Sequence, residues 1–437
     1  MYNYTHIKAI LFALTFIISI NLKSQTSVAD TTKKSTANDT IYQNVQVSFI
    51  PYFGTNGVNA GKTINRFSLN IFAGHAMGVN GFEAGGFANI NKADMRGFQA
   101  AGFANIVGRN VKGFQAAGFV NVVGKNVQGF QSAGFVNVVG GTFKGFQTAG
   151  FANINRHNTQ GLQAAGFVNV LGDTTIGATL AGYVNVCKTH SAGAMIAGAI
   201  NYARYKSNGV QIAGLINHAD TLSHTAQIAG LMNINANGTT TTQIAGLINI
   251  TKNLSGVQLG FLNYADTVTK GVPIGFLSIV RKGGVHQLEV SFDELLFLNI
   301  AARTGTRQFH NIFTSGINVT GGKNLMWTFG YGAGTTARLS NRLNLDVDLT
   351  VNHINKGKFN QSNSNLAKLY LGLEIAATKK FKVAFGPTFN VYVADTKGPK
   401  YGELYSDIAP YSVFSRTYSN GYNIKGWIGG KIALRFF

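Results

Sequence analysis

The chain has 437 residues, with 37 Lys or Arg against 16 Asp or Glu and a formal charge of +21. Charged residues are only 12% of the total and proline only 5 against 54 glycines, which excludes a collagen-like or proline-rich chain and departs from an ordinary soluble domain. The single cysteine, Cys187, excludes an intramolecular disulfide and any cysteine-based zinc site.

Lys8 precedes an uncharged run, AILFALTFIISINL, and Lys23-Ser24-Gln25 follow it at once. This is the pattern of a signal peptide over residues 1–24, too short to span a bilayer comfortably. No later stretch approaches the roughly 18 apolar residues of a spanning helix, so only strands are left to enter a membrane. The expected location is therefore exported, in the outer membrane or at the surface of a Gram-negative-type bacterium. A basic chain raises nucleic acid as a partner, but export and the spread of the Lys and Arg over many turns argue against it. Outer-membrane lipid or an anionic glycan such as lipopolysaccharide suits the compartment better, beside the plain reading of a solvated surface. A protein partner is not named by the sequence.

Residues 25–43, rich in Thr, Ser and Asp, read as a disordered polar lead. Over 44–80, VQVSFIPYFGTNG from Val45 and NRFSLNIFAG from Asn65 read as a pair of strands.

An internal repeat fills 81–284. Units of 16 begin at Gly81 and recur to Thr241, and two units of 15 start at Gly256 and Gly271, thirteen in all. The clearest is GFQAAGFVNVVGKNVQ from Gly113. The ninth position is Asn in twelve of thirteen units, the third is usually Gln, the sixth is Gly in every full-length unit, and the seventh is Phe from Phe87 to Phe167. The last five positions are mixed and polar.

Two all-β structures produce such a pattern. In a β-solenoid each unit is one coil, and like residues stack about 4.8 Å apart, an arrangement from which Asn, Gln and aromatic ladders gain. In a repeat-built antiparallel barrel each unit is one strand and turn. The short units favour the solenoid. GVQLGFLN from Gly256 has one residue fewer between its Gln and its Asn than TQIAGLIN, yet keeps both. In one continuous strand that deletion would invert every side chain beyond it, so a corner at Ala-Gly is expected, with one strand over positions 14 to 3 and another over 7 to 11. Phe and Val stacks are expected to form the core, with Asn ladders fixing the register.

Over 285–437 the period is two. LNLDVDLTVNHI, MWTFGYGA, LYLGLEIAA, FKVAFGPTFNVYV and the closing KIALRFF alternate apolar with polar, as antiparallel strands of an outer-membrane-type β-domain do. Arg435 and Lys431 restrict the lipid-facing frame of the last strand to Phe436, Leu434, Ile432 and Ile428. Eight such strands with the two before the repeats would close an even-numbered barrel, with the solenoid inserted between its second and third strands.

The GxQxAGxxN unit, the opening SFIPYFGTNG…FSLNIFAG and the tail GFLSIVRKGG…LEVSFDE…TGTRQFHNIF resemble a bacterial exported surface-repeat family. The resemblance covers nearly all of the chain beyond the signal peptide and implies a surface or outer-membrane location. It brings no catalytic residues.

Chemistry is sparse. Gly61-Lys62-Thr63 resembles the end of a phosphate-binding loop, but the pattern needs Gly at position 56, which is Asn. His218, Asp220 and His224 fall in one inter-coil turn with spacing too loose for a metal site. Asp293-Glu294, beside the apolar LLFL, reads as a strand-end turn rather than an acid/base couple. The units from Gly113 to Gln163 offer Lys125, Lys144 and Arg156 without a carboxylate, unlike a polysaccharide-cleaving β-helix. No catalytic, cofactor or metal residue is assigned. The expected function is a non-enzymatic surface or outer-membrane protein with a structural, adhesive or interaction role; the runner-up is a pore or transport protein built from all the strands.

Overall fold

The computed structural model describes residues 40–318, 325–357, 359, 364–378, 380–396, 408 and 411–437, with side chains excepted over 223–225. The expected signal peptide and most of the polar lead lie outside these residues. The first strand, Ile41–Ile50, begins ahead of the Val45 expected to open it.

The chain builds a parallel β-solenoid of about fourteen turns followed by a closed eight-stranded antiparallel barrel. Each coil of the solenoid has a seven-residue strand such as Val111–Ala117 and a four-residue strand such as Val120–Val123. Each strand pairs in parallel with its equivalent one unit away, Gln131 against Gln115 and Asn121 against Asn137. In unit numbering the strands cover positions 15 to 5 and 8 to 11, so the expected first strand shifts by one to two residues and the corner falls at Gly-Phe. The short unit behaves as its sequence requires. One strand ends at Leu259 and the next begins at Leu262, so the missing residue is the Ala that otherwise ends the long strand, and nothing downstream inverts. From Ile200 onward the second corner straightens and the two strands merge into runs such as Ile200–Ala213.

Glycine at positions 1 and 6 is a steric requirement. At Gly113 φ is +128, and a Cβ there would sit 2.1 Å from the Gly97 carbonyl oxygen. At Gly118 it would sit 2.0 Å from that of Gly102. Coils spaced at a strand-to-strand distance leave no room for it.

Two expectations are corrected. The strand Thr63–Asn70, with Ile41–Ile50 beside it, belongs to the solenoid: it pairs in parallel with Gly78–Gly85 as the first rung, so neither strand joins the barrel. The barrel closes with the eight strands after residue 284 alone, the first, Val285–Asp293, pairing with the last, Tyr422–Phe436, from Leu288↔Phe436 to Asp293↔Lys431. Phenylalanine is the second correction. The core holds mostly Val at positions 11 and 15, with Phe143 among them, Ala at 5, Gln at 3 and Asn at 9, all buried, whereas Phe119 at position 7 is 41% exposed. The Asn at position 9 and the Val at position 11 take the inward places of a strand whose side chains alternate, and the Phe at position 7 falls on the corner outside.

Candidate functional site

The barrel inverts the usual distribution of side chains. Leu349 is 55% exposed and Ile432 58%, with Leu288, Phe329, Val351, Phe385 and Phe389 also facing outward. Alternation turns the ionisable residues inward. Arg435 donates through Nε to Glu289 at 2.7 Å and through Nη1 to Glu374 at 2.7 Å, and also pairs with Asp346. Arg303 makes a two-pronged contact with Asp348 at 2.6 and 2.8 Å and reaches Glu289 at 3.1 Å. Lys431 pairs with Glu289, and Lys382 with Glu374 at 2.8 Å. Four cations thus meet four carboxylates, and pairing is what makes charge tolerable in a dry interior.

At the opposite end the Asp293-Glu294 turn folds into the barrel mouth. Asp293 accepts the Leu295 and Leu296 amides at 3.0 and 2.8 Å. Glu294 accepts from Trp427 Nε1 at 2.9 Å and Asn390 Nδ2 at 2.8 Å. The turn carries Leu295 and Leu296 into an apolar cluster with Ile354, Leu366, Tyr392 and Trp427. Among the described residues a cavity of about 40 Å³ in the lumen is lined by Glu289, Asp348 and Lys431 among others. At roughly 10–15 Å³ per water, that is room for about three molecules.

Within the solenoid the buried amides form two rows of opposite sense. Each Asn Nδ2 donates toward the C-terminus, Asn121 to Asn137 Oδ1 at 2.9 Å and Asn137 to Asn153 Oδ1 at 2.9 Å. Its second hydrogen goes to a backbone carbonyl of the next coil, Asn137 to Thr148 O at 2.6 Å. Gln Nε2 groups donate toward the N-terminus, Gln131 to Gln115 and Gln115 to Gln99, both at 2.8 Å. This row ends on a carboxylate, Gln99 donating to Glu83 at 2.7 Å, with Asn91 and Asn70 donating to Glu83 at 2.6 and 3.1 Å. Burial pushes the Glu83 carboxyl above its ordinary value, against the pull of those amides. Outside, the position-7 rings stack face to face, Phe103 on Phe119 and Phe119 on Phe135 both at 4.8 Å.

The last coil ends on the barrel wall. Ser278 N donates to Asn311 Oδ1 at 2.7 Å, Asn311 Nδ2 donates to Gly275 O at 2.6 Å, and Thr304 Oγ1 donates to Ser278 O at 2.9 Å. Asn311 thereby caps backbone groups of the last coil, whereas the amide ladder itself stops at Asn263, whose Nδ2 donates to Gly260 O and Ile274 O rather than to a further side chain. Phe276 stacks on Tyr331 at 4.9 Å, which extends the position-7 stack from Phe261 in the same way.

Of the residues singled out in the sequence, Gly61 and Lys62 lie in a short 3-10 turn over Gly57–Lys62 that ends at Thr63. His218 Nδ1 is 3.9 Å from Asp220, its ring stacked on Tyr202 and its pKa lowered chiefly by burial; the His224 side chain lies outside the described residues. Among the described residues no three His, Cys, Asp or Glu side chains are grouped to hold a metal. Lys125, Lys144 and Arg156 are exposed on the polar edge of the rod, and Cys187 is buried. The barrel's ionic network was not foreseen as a unit, although each member sits on the polar side of an alternating strand. No helix among the described residues is long and apolar enough to cross a membrane. Comparison with protein-family models, with curated proteins and with solved structures finds no match.

Proposed function

We propose that this is an exported, non-enzymatic outer-membrane protein whose barrel is an anchor and whose solenoid is a rigid structural and interaction scaffold. The observation that carries this reading is the barrel's inverted wall: apolar side chains face out all round, and ionised groups face in and neutralise one another. A barrel in water would place its charges the other way, because an exposed apolar band costs about 25 cal/mol per Å².

The same lumen speaks against a pore. Among the described residues ion pairs fill one end, the Asp293–Lys368 pair and an apolar plug occupy the other, and a cavity of about 40 Å³ lies in the lumen. Hydrolytic chemistry needs available carboxylates, and in the lumen Glu289, Glu374, Asp346 and Asp348 are engaged with Arg or Lys while Glu294 is held by Trp427 and Asn390. The exposed Lys and Arg of the rod are the residues offered to an anionic glycan or lipid.

Two measurements test the reading. After alkaline washing of membranes the protein is expected to stay in the outer-membrane pellet, and release into the supernatant overturns the anchor. In planar bilayers it is expected to give no conductance steps, and a stable open channel overturns the sealed barrel.

A further inference from the structure

The rod's outer surface is divided along its length. Positions 2, 4, 7, 8 and 10 lie on the outer side of the coil, most of them exposed or half-buried with Ala88, Ala104, Ala152, Val186 and Ala199 buried, and across the thirteen units none of them is Asp, Glu, Lys or Arg. From Gly81 to Lys282 the fourteen Lys or Arg and four of the five Asp or Glu fall at positions 12 to 16, on the opposite edge; the fifth, Glu83, is buried. The apolar side comprises the narrow corner at position 7, running from Phe87 through Leu231 to Phe276, and the adjoining half of each sheet. At about 4.8 Å per coil it is a strip roughly 65 Å long, well beyond the few hundred Å² a monomer leaves open to water.

What covers the strip follows from the joint. Phe276 stacks on Tyr331 of the barrel wall, and Tyr331 lies beside the exposed Phe329 and Val351. The rod's apolar edge therefore continues into the barrel's apolar outer band. Ser278 N, Ser278 O and Gly275 O, the groups that would pair with a further coil and so point along the rod, meet Asn311 and Thr304 on the outside of the wall. The rod leaves the barrel sideways, in the plane of a membrane that the barrel spans.

We propose that the rod lies along one leaflet of the membrane that holds the barrel, with its position-7 edge among the acyl chains and its Lys and Arg edge at the phosphates and in water. The proposal rests on the anchor reading above. Five residues separate positions 7 and 12, about 16 Å of strand, so an edge immersed by about 10 Å brings the basic residues to the headgroups. The leaflet is the inner one. The turns at the joint's end of the barrel are the short ones, 306–309, 339–342 and 377–380, while three of four connections at the other end are longer, 319–325, 357–363 and 396–421. Short turns mark the periplasmic end of such barrels.

The test is nitroxide accessibility in the full chain, in a Cys187→Ala background, reconstituted into phosphatidylethanolamine and phosphatidylglycerol vesicles. Single labels are placed at Leu231→Cys on the corner, Lys125→Cys on the polar edge and Leu349→Cys on the barrel wall. The ratio of oxygen to water-soluble nickel-chelate accessibility is expected to be severalfold higher at 231 and 349 than at 125, and Phe119→Cys repeats the measurement seven coils from 231. If 349 reads as lipid but 231 reads like 125, the rod stands in water and the proposal fails while the anchor survives. If 231 is shielded from both probes, a second protein surface covers the strip and the proposal fails. If 349 itself reads as water, the anchor reading fails, and the leaflet proposal with it.

Discussion

Replacing Asn137 by Ala tests the amide ladder at its middle. Three buried groups lose their partner: the Asn121 Nδ2 hydrogen, the Asn153 Oδ1 and the Thr148 carbonyl. Each unpaired buried polar group costs about 1–3 kcal/mol, giving about 3–9 kcal/mol in total. A water entering the vacated space re-pairs some of them, so the expected loss is near the low end, about 3 kcal/mol or on the order of 100-fold in the local opening equilibrium. A solenoid is held by nearest-neighbour interfaces, so the loss concentrates in the coils on either side. Hydrogen exchange of the amides over 120–155 in the detergent-solubilised full chain reads it directly. Lys125→Ala, exposed on the polar edge, is the control and is expected within about 0.5 kcal/mol of the parent. If Asn137→Ala protects those amides as well as the control does, the ladder is not what holds the coils in register.

Three further outcomes follow from the same geometry. Gly145→Ala puts a Cβ 1.9 Å from the Gly129 carbonyl oxygen at φ +137; about 3 kcal/mol or more of strain is expected, read as new protease cleavage within that coil. Glu83→Gln is expected to stabilise the N-terminal coils at neutral pH, because burial raises the folded carboxyl above its ordinary value of 4.5. Its contribution is fully present below about pH 4.5 and is lost as pH rises through the raised value. Amide exchange over 65–105 should therefore show protection of the parent falling from pH 5 to 8 relative to Glu83→Gln. His75, whose pKa burial and Lys92 lower, acts with opposite sign in both proteins and cancels in the comparison; a constant difference refutes the assignment. Arg435→Met leaves Asp346 buried without its cation and takes one cation each from Glu289, which keeps Arg303 and Lys431, and from Glu374, which keeps Lys382, and about 3–5 kcal/mol of barrel stability is expected to go. The temperature at which the folded band converts in semi-native electrophoresis reports it, and an unchanged temperature counts against the network.

The repeat made the solenoid legible because the physics of stacking is one-dimensional: a position that meets its own copy every coil must tolerate itself, and Asn, Gln and Gly do so for distinct reasons. The one-residue deletion at Gly256 located the corner for the same reason, since only a corner absorbs it. Apolar character without parity does not place Phe: Phe143 at position 15 is in the core, whereas the position-7 rings are outside. Once Asn121 and Val123 are inward, alternation sends Val120 and Val122 outward and leaves Phe119 on the turn. An amphipathic strand reads alike on a barrel and on a solenoid rung, so the two early strands are separated from the barrel only by pairing, Thr63–Asn70 running parallel to Gly78–Gly85 and Ile41–Ile50 lying against Thr63–Asn70. In the barrel, the frame fixed by Arg435 and Lys431 was readable from the last strand alone. Their carboxylate partners lie 60 to 150 residues away and could be matched only after closure.

The two ends of the rod show why one chain carries both domains. A stack of parallel coils leaves an open row of backbone groups at each end, a template for further strands. At the N-terminal end Asn56 and Asn65 donate to Gln46 at 2.8 and 2.6 Å, and the Gly57–Lys62 turn lies beside them. At the C-terminal end Asn311 and Thr304 take the last coil's backbone groups and Tyr331 supplies the next ring of the aromatic stack. The barrel wall thus stands where a further coil would, which closes the stack and fixes the rod's direction relative to the barrel strands. A flexible tether would close nothing, whereas a wall that caps the coil's backbone groups and continues the aromatic stack allows one orientation. That shared surface is why the apolar edge of the rod and the apolar band of the barrel have to meet the same solvent.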